Sequence, residues 1–316
     1  MDRMSVFGRC IGAAGVQGHY GEGHLHYKIP GRNPNFERMT FTSKTQTLLE
    51  RSGNVKSAWY FWEFIFPSWA RMHFSSRHTL NVMGLPGPGI CGALQTGQWQ
   101  NRTEPFGISI MAVEATLEKR LDELFRIADI IGEHKTDFIA PSIYIQLNRS
   151  CPNTGHSINV SEIVKESEKG LQILSVLGWP LQEKFAVDTA PVEAIRELQG
   201  NPYCDGICIG NTVKYNYRSL GKEIFGKDVS PLARLGGGGI SGPKLLPLNC
   251  DYIKKLRDLG FEKNINGLGG IFCPDDVDRY RNAGADSVGI GTVAFYDPKQ
   301  VALIIQRANS LTWRKS

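Results

Sequence analysis

The sequence has no Cys-x-x-Cys pair, and its seven cysteines are an odd number. A disulfide framework, a zinc ribbon or an iron–sulfur cluster of its own is therefore not expected, and a reducing compartment fits. Long apolar runs are missing: the most hydrophobic window, 58–70, is short and contains Glu63 and Pro67, so no membrane span is expected. Basic runs are missing too, and a formal charge of +5 over 316 residues is modest. No nucleic-acid partner is expected on that ground. The opening Met1-Asp2-Arg3-Met4-Ser5 lacks a signal-peptide core, which makes the cytoplasm the expected location. His19, His24 and His26 lie close in sequence, but no cysteine or clear carboxylate partner completes a metal site.

What is present is an ordinary globular composition, 41% hydrophobic and 21% charged. Short apolar runs end in Gly, Asn, Ser or Lys, and stretches of helical period usually follow. Strands are expected at Arg9–Ala14, Met39–Ser43, Gly107–Met111, Ser142–Asn148, Phe185–Asp188, Gly206–Asn211, Ile265–Leu268 and Ser287–Ile290. Helices are expected at Ala115–Glu133, Ser161–Leu177, Pro191–Leu198, Leu248–Leu259, Asp275–Ala283 and Pro298–Ala308. Repeated strand–helix units imply a parallel sheet, and eight of them imply an α/β fold of the closed (β/α)8 TIM-barrel type. The first unit is irregular: 18–35 is rich in Gly, His, Asn and Pro and reads as a loop or flap. Residues 1–316 read as one domain. The aromatic segment 55–78 reads as an insertion passing over the barrel top, either buried or covering another subunit, as in a homodimer.

Barrel chemistry collects at the C-terminal strand ends. Here they read Ala14-Gly15, Ser43-Lys44, Asn148-Arg149-Ser150-Cys151-Pro152-Asn153, Asp188, Asn211-Thr212, Gly269-Gly270 and Gly291-Thr292. The last two suit a phosphate, because glycines let backbone N–H groups approach an anion. Gly236–Gly242 reads as a further flexible loop on that side. Amides beside a thiol suit a planar polar ligand and proton transfer.

These strand ends, in this order, resemble the dihydroorotate dehydrogenase family, flavin enzymes of pyrimidine synthesis. The likeness runs from Ala13 to about Phe295, and its most specific piece is Asn148–Asn153. The resemblance implies dihydroorotate as substrate, FMN as cofactor and the soluble class that uses cysteine, with Cys151 taking the C5 proton. Lys44 would touch both flavin and substrate. Asn81, Met83, Gly84, Leu85, Asn148, Asn153, Asn211 and Thr212 would hold the substrate. Ala14, Gly15, Lys44, Thr45, Asn148, Thr212, Gly242, Gly269, Gly270, Gly291 and Thr292 would hold FMN. A partner subunit that passes electrons onward is compatible with this resemblance.

Three positions depart from the family pattern. Asp188 stands at the expected strand end where the family carries a lysine near the flavin. Gly87 stands where a ligand-binding Asn is usual. Arg149 replaces an aliphatic residue; strand alternation turns it away from Asn148 toward the helix layer, where it needs a partner. Two other readings remain open: a related flavoenzyme for another ring, and a silent FMN- or phosphate-binding barrel with a regulatory or structural role.

Overall fold

The structure, a computed structural model, describes residues 6–55, 67–149 and 160–314. Its strands are β1 (Cys10–Gly12), β2 (Phe41–Thr42), β3 (Ala70–His73), β4 (His78–Asn81), β5 (Phe106–Ile110), β6 (Ile143–Asn148), β7 (Leu181–Phe185), β8 (Gly206–Ile209), β9 (Val213–Lys214), β10 (Gly239–Ser241), β11 (Asn264–Leu268) and β12 (Ser287–Ile290). Eight of them form one parallel sheet in the order β1-β12-β11-β8-β7-β6-β5-β2. The two ends meet at a parallel bridge between Ile11 and Thr40. There the Gly12 N–H donates to the Thr40 carbonyl and the Thr40 N–H to the Cys10 carbonyl, each at 2.9 Å. The sheet closes as a TIM barrel, as the alternation of elements predicts.

Helices follow the strands around the outside: Gly89–Gln95, Leu117–Glu133, Val160–Leu174, Val192–Arg196, Leu220–Phe225, Leu245–Asp258, Pro274–Ala283, Val293–Tyr296 and Pro298–Ser310. Their starts have local causes. The Thr116 hydroxyl accepts the Lys119 N–H, and proline opens the helices at 274 and 298, where its missing N–H costs nothing. The main apolar core lies between the barrel and these helices, with Ile108, Ile145, Ile207, Ile265 and Val288 meeting Leu124, Leu171, Ile253 and Ile304. Among the described residues no helix is long and apolar enough to cross a membrane.

The barrel interior is polar to an unusual depth. Gln146 donates to Gln182 at 2.8 Å, Asn266 to the Ser287 hydroxyl at 2.9 Å, and the Thr42 and Tyr144 hydroxyls pair at 2.6 Å. This polarity explains the one strand whose place the sequence misstates. The expected strand Phe185–Asp188 lies at Leu181–Phe185 instead. Its inward residues, Gln182 and Lys184, are polar, so no apolar signal marks them. The apolar run Phe185-Ala186-Val187 that suggested a strand lies mostly in the turn beyond it.

A second sheet is absent from the sequence reading. Strands β3-β4-β10-β9 pair antiparallel, with Asn81 opposite Gly239 and Val213 opposite Ile240. Leu80, Val82, Val213, Leu232 and Ile240 give it a small core of its own. So the expected flexible loop 236–242 is partly strand. The aromatic run 56–66 lies outside the described residues, while the rest of the expected insertion supplies β3 and the turn into β4.

Candidate active site

A cavity of about 570 Å³ opens between the C-terminal side of the barrel and the second sheet. Its size is in the range of cofactor sites. Of the residues expected from sequence, Ala14, Gly15, Asn81, Met83, Gly291 and Thr292 line it, together with His24, His26, Trp69, Met72 and Phe295. Lys44 lies directly behind Gly15: a Cβ at Gly15 would sit 3.2 Å from Lys44 Cγ. The neighbouring Thr45 hydroxyl pairs with Ser109 at 2.9 Å inside the barrel end.

A second group meets at the ends of β6 and β8. Asn211 Nδ2 donates to Asn148 Oδ1 at 3.0 Å, and the Asn211 oxygen takes the Thr212 N–H at 2.9 Å. Cys151 and Asn153, expected as base and ligand, lie outside the described residues. Gly84 and Leu85 do not line the cavity. They form a left-handed turn, φ +73° and +56°, that delivers Met83, whose carbonyl takes the Asn54 N–H at 2.8 Å. Gly242, Gly269 and Gly270 are likewise off the cavity wall. Gly270 has φ +78°, and a Cβ there would lie 2.4 Å from the Leu246 nitrogen. The chain leaving β11 can pass this close to the start of the helix Leu245–Asp258 because that side chain is missing.

Burial controls the titration of the site. It lowers the Lys44 ammonium to about 8, with Glu22 opposing. It also pushes His19 and His26 down to about 4, helped by nearby cations and by the neighbouring His24. These imidazoles are therefore neutral at neutral pH. His24 stacks on His26 at 5.5 Å and its Nε2 meets the Gly15 carbonyl at 2.7 Å, so it braces the Gly15 turn. Among the described residues the wall is mostly apolar with a few polar points, and Lys44 stands behind it at Gly15, a composition common to small-molecule sites.

The three departures from the family pattern resolve differently. Lys184, not Asp188, stands at the end of the correctly placed β7. It is in register with Asn148 on β6 and Cys208 on β8, is 5% exposed, and lies on the strand face opposite Glu183. From the sequence Lys184, like Lys214, is only a charge able to compensate Asp188, and setting the strand too late in the chain left it outside the strand. Asp188 lies past the strand, where its Oδ2 accepts the Lys214 N–H at 2.7 Å. Burial raises its pKa, with that hydrogen bond and the Lys214 charge opposing. Gly87 forms a backbone bridge with Arg51, and the space beside it is taken. A Cβ there would lie 2.8 Å from Gln46 Oε1 and 3.1 Å from His19 Cε1, and these two side chains bond to each other at 2.7 Å. Arg149 finds the partners it needs on the outer side: Glu183 at 2.7 Å and Glu166 at 2.9 Å.

The closed barrel with a ligand cleft at its strand ends defines the chain as a TIM-barrel protein built for small-molecule chemistry. The profile of the dihydroorotate dehydrogenase family matches residues 40–311, and the chain belongs to that family of oxidoreductases. It is 30% identical over 223 residues to the catalytic subunit of dihydroorotate dehydrogenase B (NAD(+)) of Listeria welshimeri, covering 69% of this chain and 67% of that one. The corresponding subunit of Shouchella clausii is 28% identical over 231 residues, 72% of this chain and 70% of that one. Among solved structures, the dihydroorotate dehydrogenase of Eimeria tenella in complex with ferulenol aligns with a TM-score of 0.63 at 17% identity, over 95% of this chain and 80% of that one. That last likeness is one of fold.

Proposed function

We propose that the protein oxidises dihydroorotate to orotate with FMN. The carrying observation is that Asn148, the last residue of β6, and Asn211, just past β8, are hydrogen-bonded to each other, with Lys184 in register beside Asn148. Amides offer a donor and an acceptor each, which is what a cyclic ureide ring with a carboxylate needs. FMN, when bound, supplies the acceptor for a hydride from C6 of the substrate. Cys151, as thiolate, takes the proton from C5, so the substrate leaves as orotate with a C5–C6 double bond. Lys44, whose stem packs against Gly15, supplies a cation that stabilises negative charge on the ligands. Lys184 places a second cation at the barrel end, where it favours an anionic reduced cofactor. Gly15, Gly291 and Thr292 bound the cavity that would hold FMN, and Gly242, Gly269 and Gly270 shape the adjoining turns. Because the relatives are named as catalytic subunits, the proposal includes a partner subunit that carries the electrons onward.

One observation favours a second reading. Gln46 and His19 fill the space beside Gly87 where the family's Asn side chain would stand, which suits a related ring with a different edge. An anaerobic titration followed by flavin absorbance separates the two. Bleaching by dihydroorotate at stoichiometric amounts supports the first; a yellow protein that stays yellow with dihydroorotate and bleaches with another dihydropyrimidine supports the second.

A further inference from the structure

Behind the strand ends, on the face away from the cavity, lies a buried ionic cluster with no part in the reaction just described. Arg149 Nε donates to Glu183 Oε1 at 2.7 Å, Nη1 to Glu166 Oε1 at 2.9 Å, and Nη2 to the Glu166 carbonyl at 2.9 Å. Arg120 closes the cluster with two bonds to Glu166 Oε2, at 3.1 and 2.7 Å. Arg149 is 6% exposed and Glu183 fully buried. Room for the guanidinium is provided by Gly170: a Cβ there would lie 2.4 Å from Arg149 Nη2. The site is thus shaped for an arginine fork.

Such a cluster is a poor source of stability, because desolvating the charges offsets most of their attraction; apolar replacements of a whole pair are often neutral or better. What it enforces is geometry. Arg149 follows Asn148 and Glu183 precedes Lys184, and adjacent strand residues face opposite sides. Asn148 and Lys184 are in direct register, and the Arg149 N–H donates to the Lys184 carbonyl at 3.0 Å. A slip of one residue would drive Arg149 and Glu183 into the barrel and turn Asn148 and Lys184 out of it.

We propose that Arg149 and Glu183 are positioning residues, whose ion pair on the outer face of β6 and β7 fixes Asn148 and Lys184 at the meeting point of substrate and flavin. This rests on the proposed function above. The planar fork matters as well as the charge, since lysine cannot bridge Glu183 and Glu166 in the same way.

The test compares wild type, Arg149→Lys and the double variant Arg149→Leu/Glu183→Leu. It reads melting temperature, FMN dissociation constant, the midpoint potential of the bound flavin, and the split of kcat from KM for dihydroorotate. The double variant should melt near wild type. Its FMN affinity should fall about tenfold, and its flavin should become harder to reduce by about tenfold in equilibrium constant, about 30 mV for two electrons. The kcat should fall at least tenfold. Arg149→Lys should lie between, and it carries the test alone if the double variant fails to fold. A folded variant with wild-type affinity, potential and kcat overturns the proposal, whatever its melting temperature. If wild-type protein binds FMN but dihydroorotate does not reduce it, the functional reading fails, and potential and FMN affinity decide the positioning role without it. Failure of wild type to bind FMN overturns both.

Discussion

Asn211 donates its Nδ2 hydrogen to the Oδ1 of Asn148, 63 residues earlier in the chain, at 3.0 Å. The bond orients both amides. Asn148 keeps its NH2 group for a ligand, while the Asn211 oxygen is already engaged by the Thr212 N–H. Asn211→Ala should leave the buried Asn148 acceptor unpaired and let its amide rotate. The cost should be about 1–3 kcal/mol, or roughly five- to 150-fold weaker orotate binding by calorimetry. Orotate binding at wild-type strength in this variant would mean that the pair does not shape the ligand site.

Lys44 should make the apoprotein's stability depend on pH in the alkaline range. Burial lowers its folded value from 10.5 to about 8, so between those values the unfolded chain binds more protons than the folded one. Stability from this group therefore rises as pH climbs from about 8 to 10.5, and below about 8 the full penalty of a buried charge is present. Urea midpoints measured at several pH values across this window should show the rise, and Lys44→Met should flatten it. Orotate binding should follow the opposite course, weakening as the pH passes 8 and the cation is lost. A wild-type and a Lys44→Met protein with parallel stability profiles would show that Lys44 is not the titrating group.

Cys151→Ala should retain FMN and bind orotate, yet slow flavin reduction by dihydroorotate roughly 10²- to 10⁴-fold, the usual contribution of a positioned base. In wild type the rate should rise with pH as the thiol ionises, and Cys151→Ser should move that rise to higher pH. Stopped-flow reduction of Cys151→Ala at near-normal rate, with an unchanged pH profile, would remove the thiol from the mechanism.

Two glycines make a matched test of the proposed cofactor end. Gly270→Ala sets a Cβ 2.4 Å from the Leu246 nitrogen, at φ +78°, and should cost about 1–3 kcal/mol of stability in local strain. FMN retention through gel filtration should drop with it. Gly291→Ala meets only the Ala13 Cβ, at 3.1 Å, in an ordinary backbone conformation. It should fold as wild type and narrow the cavity, weakening FMN binding without lowering the melting temperature. Full FMN retention by both variants would place the cofactor elsewhere.

The sequence alone determined that eight strands alternate with helices, and that Lys44, Asn148 and Asn211 sit at strand ends. Periodicity and breaker residues are local signals, and a barrel turns them directly into position. The need of Arg149 for an outer partner was equally legible, because alternation along a strand is a local rule. The tertiary structure decided the rest. It placed Lys184 at the end of β7, since a strand with Gln182 and Lys184 facing a polar interior carries no apolar signature and its bounds are set by pairing with β6 and β8. It joined the short strands β3, β4, β9 and β10 into a second sheet; none is long enough to announce itself, and only their mutual pairing makes them stable. It also filled the space beside Gly87 with Gln46 and His19, because two side chains far apart in sequence become neighbours only when the barrel closes.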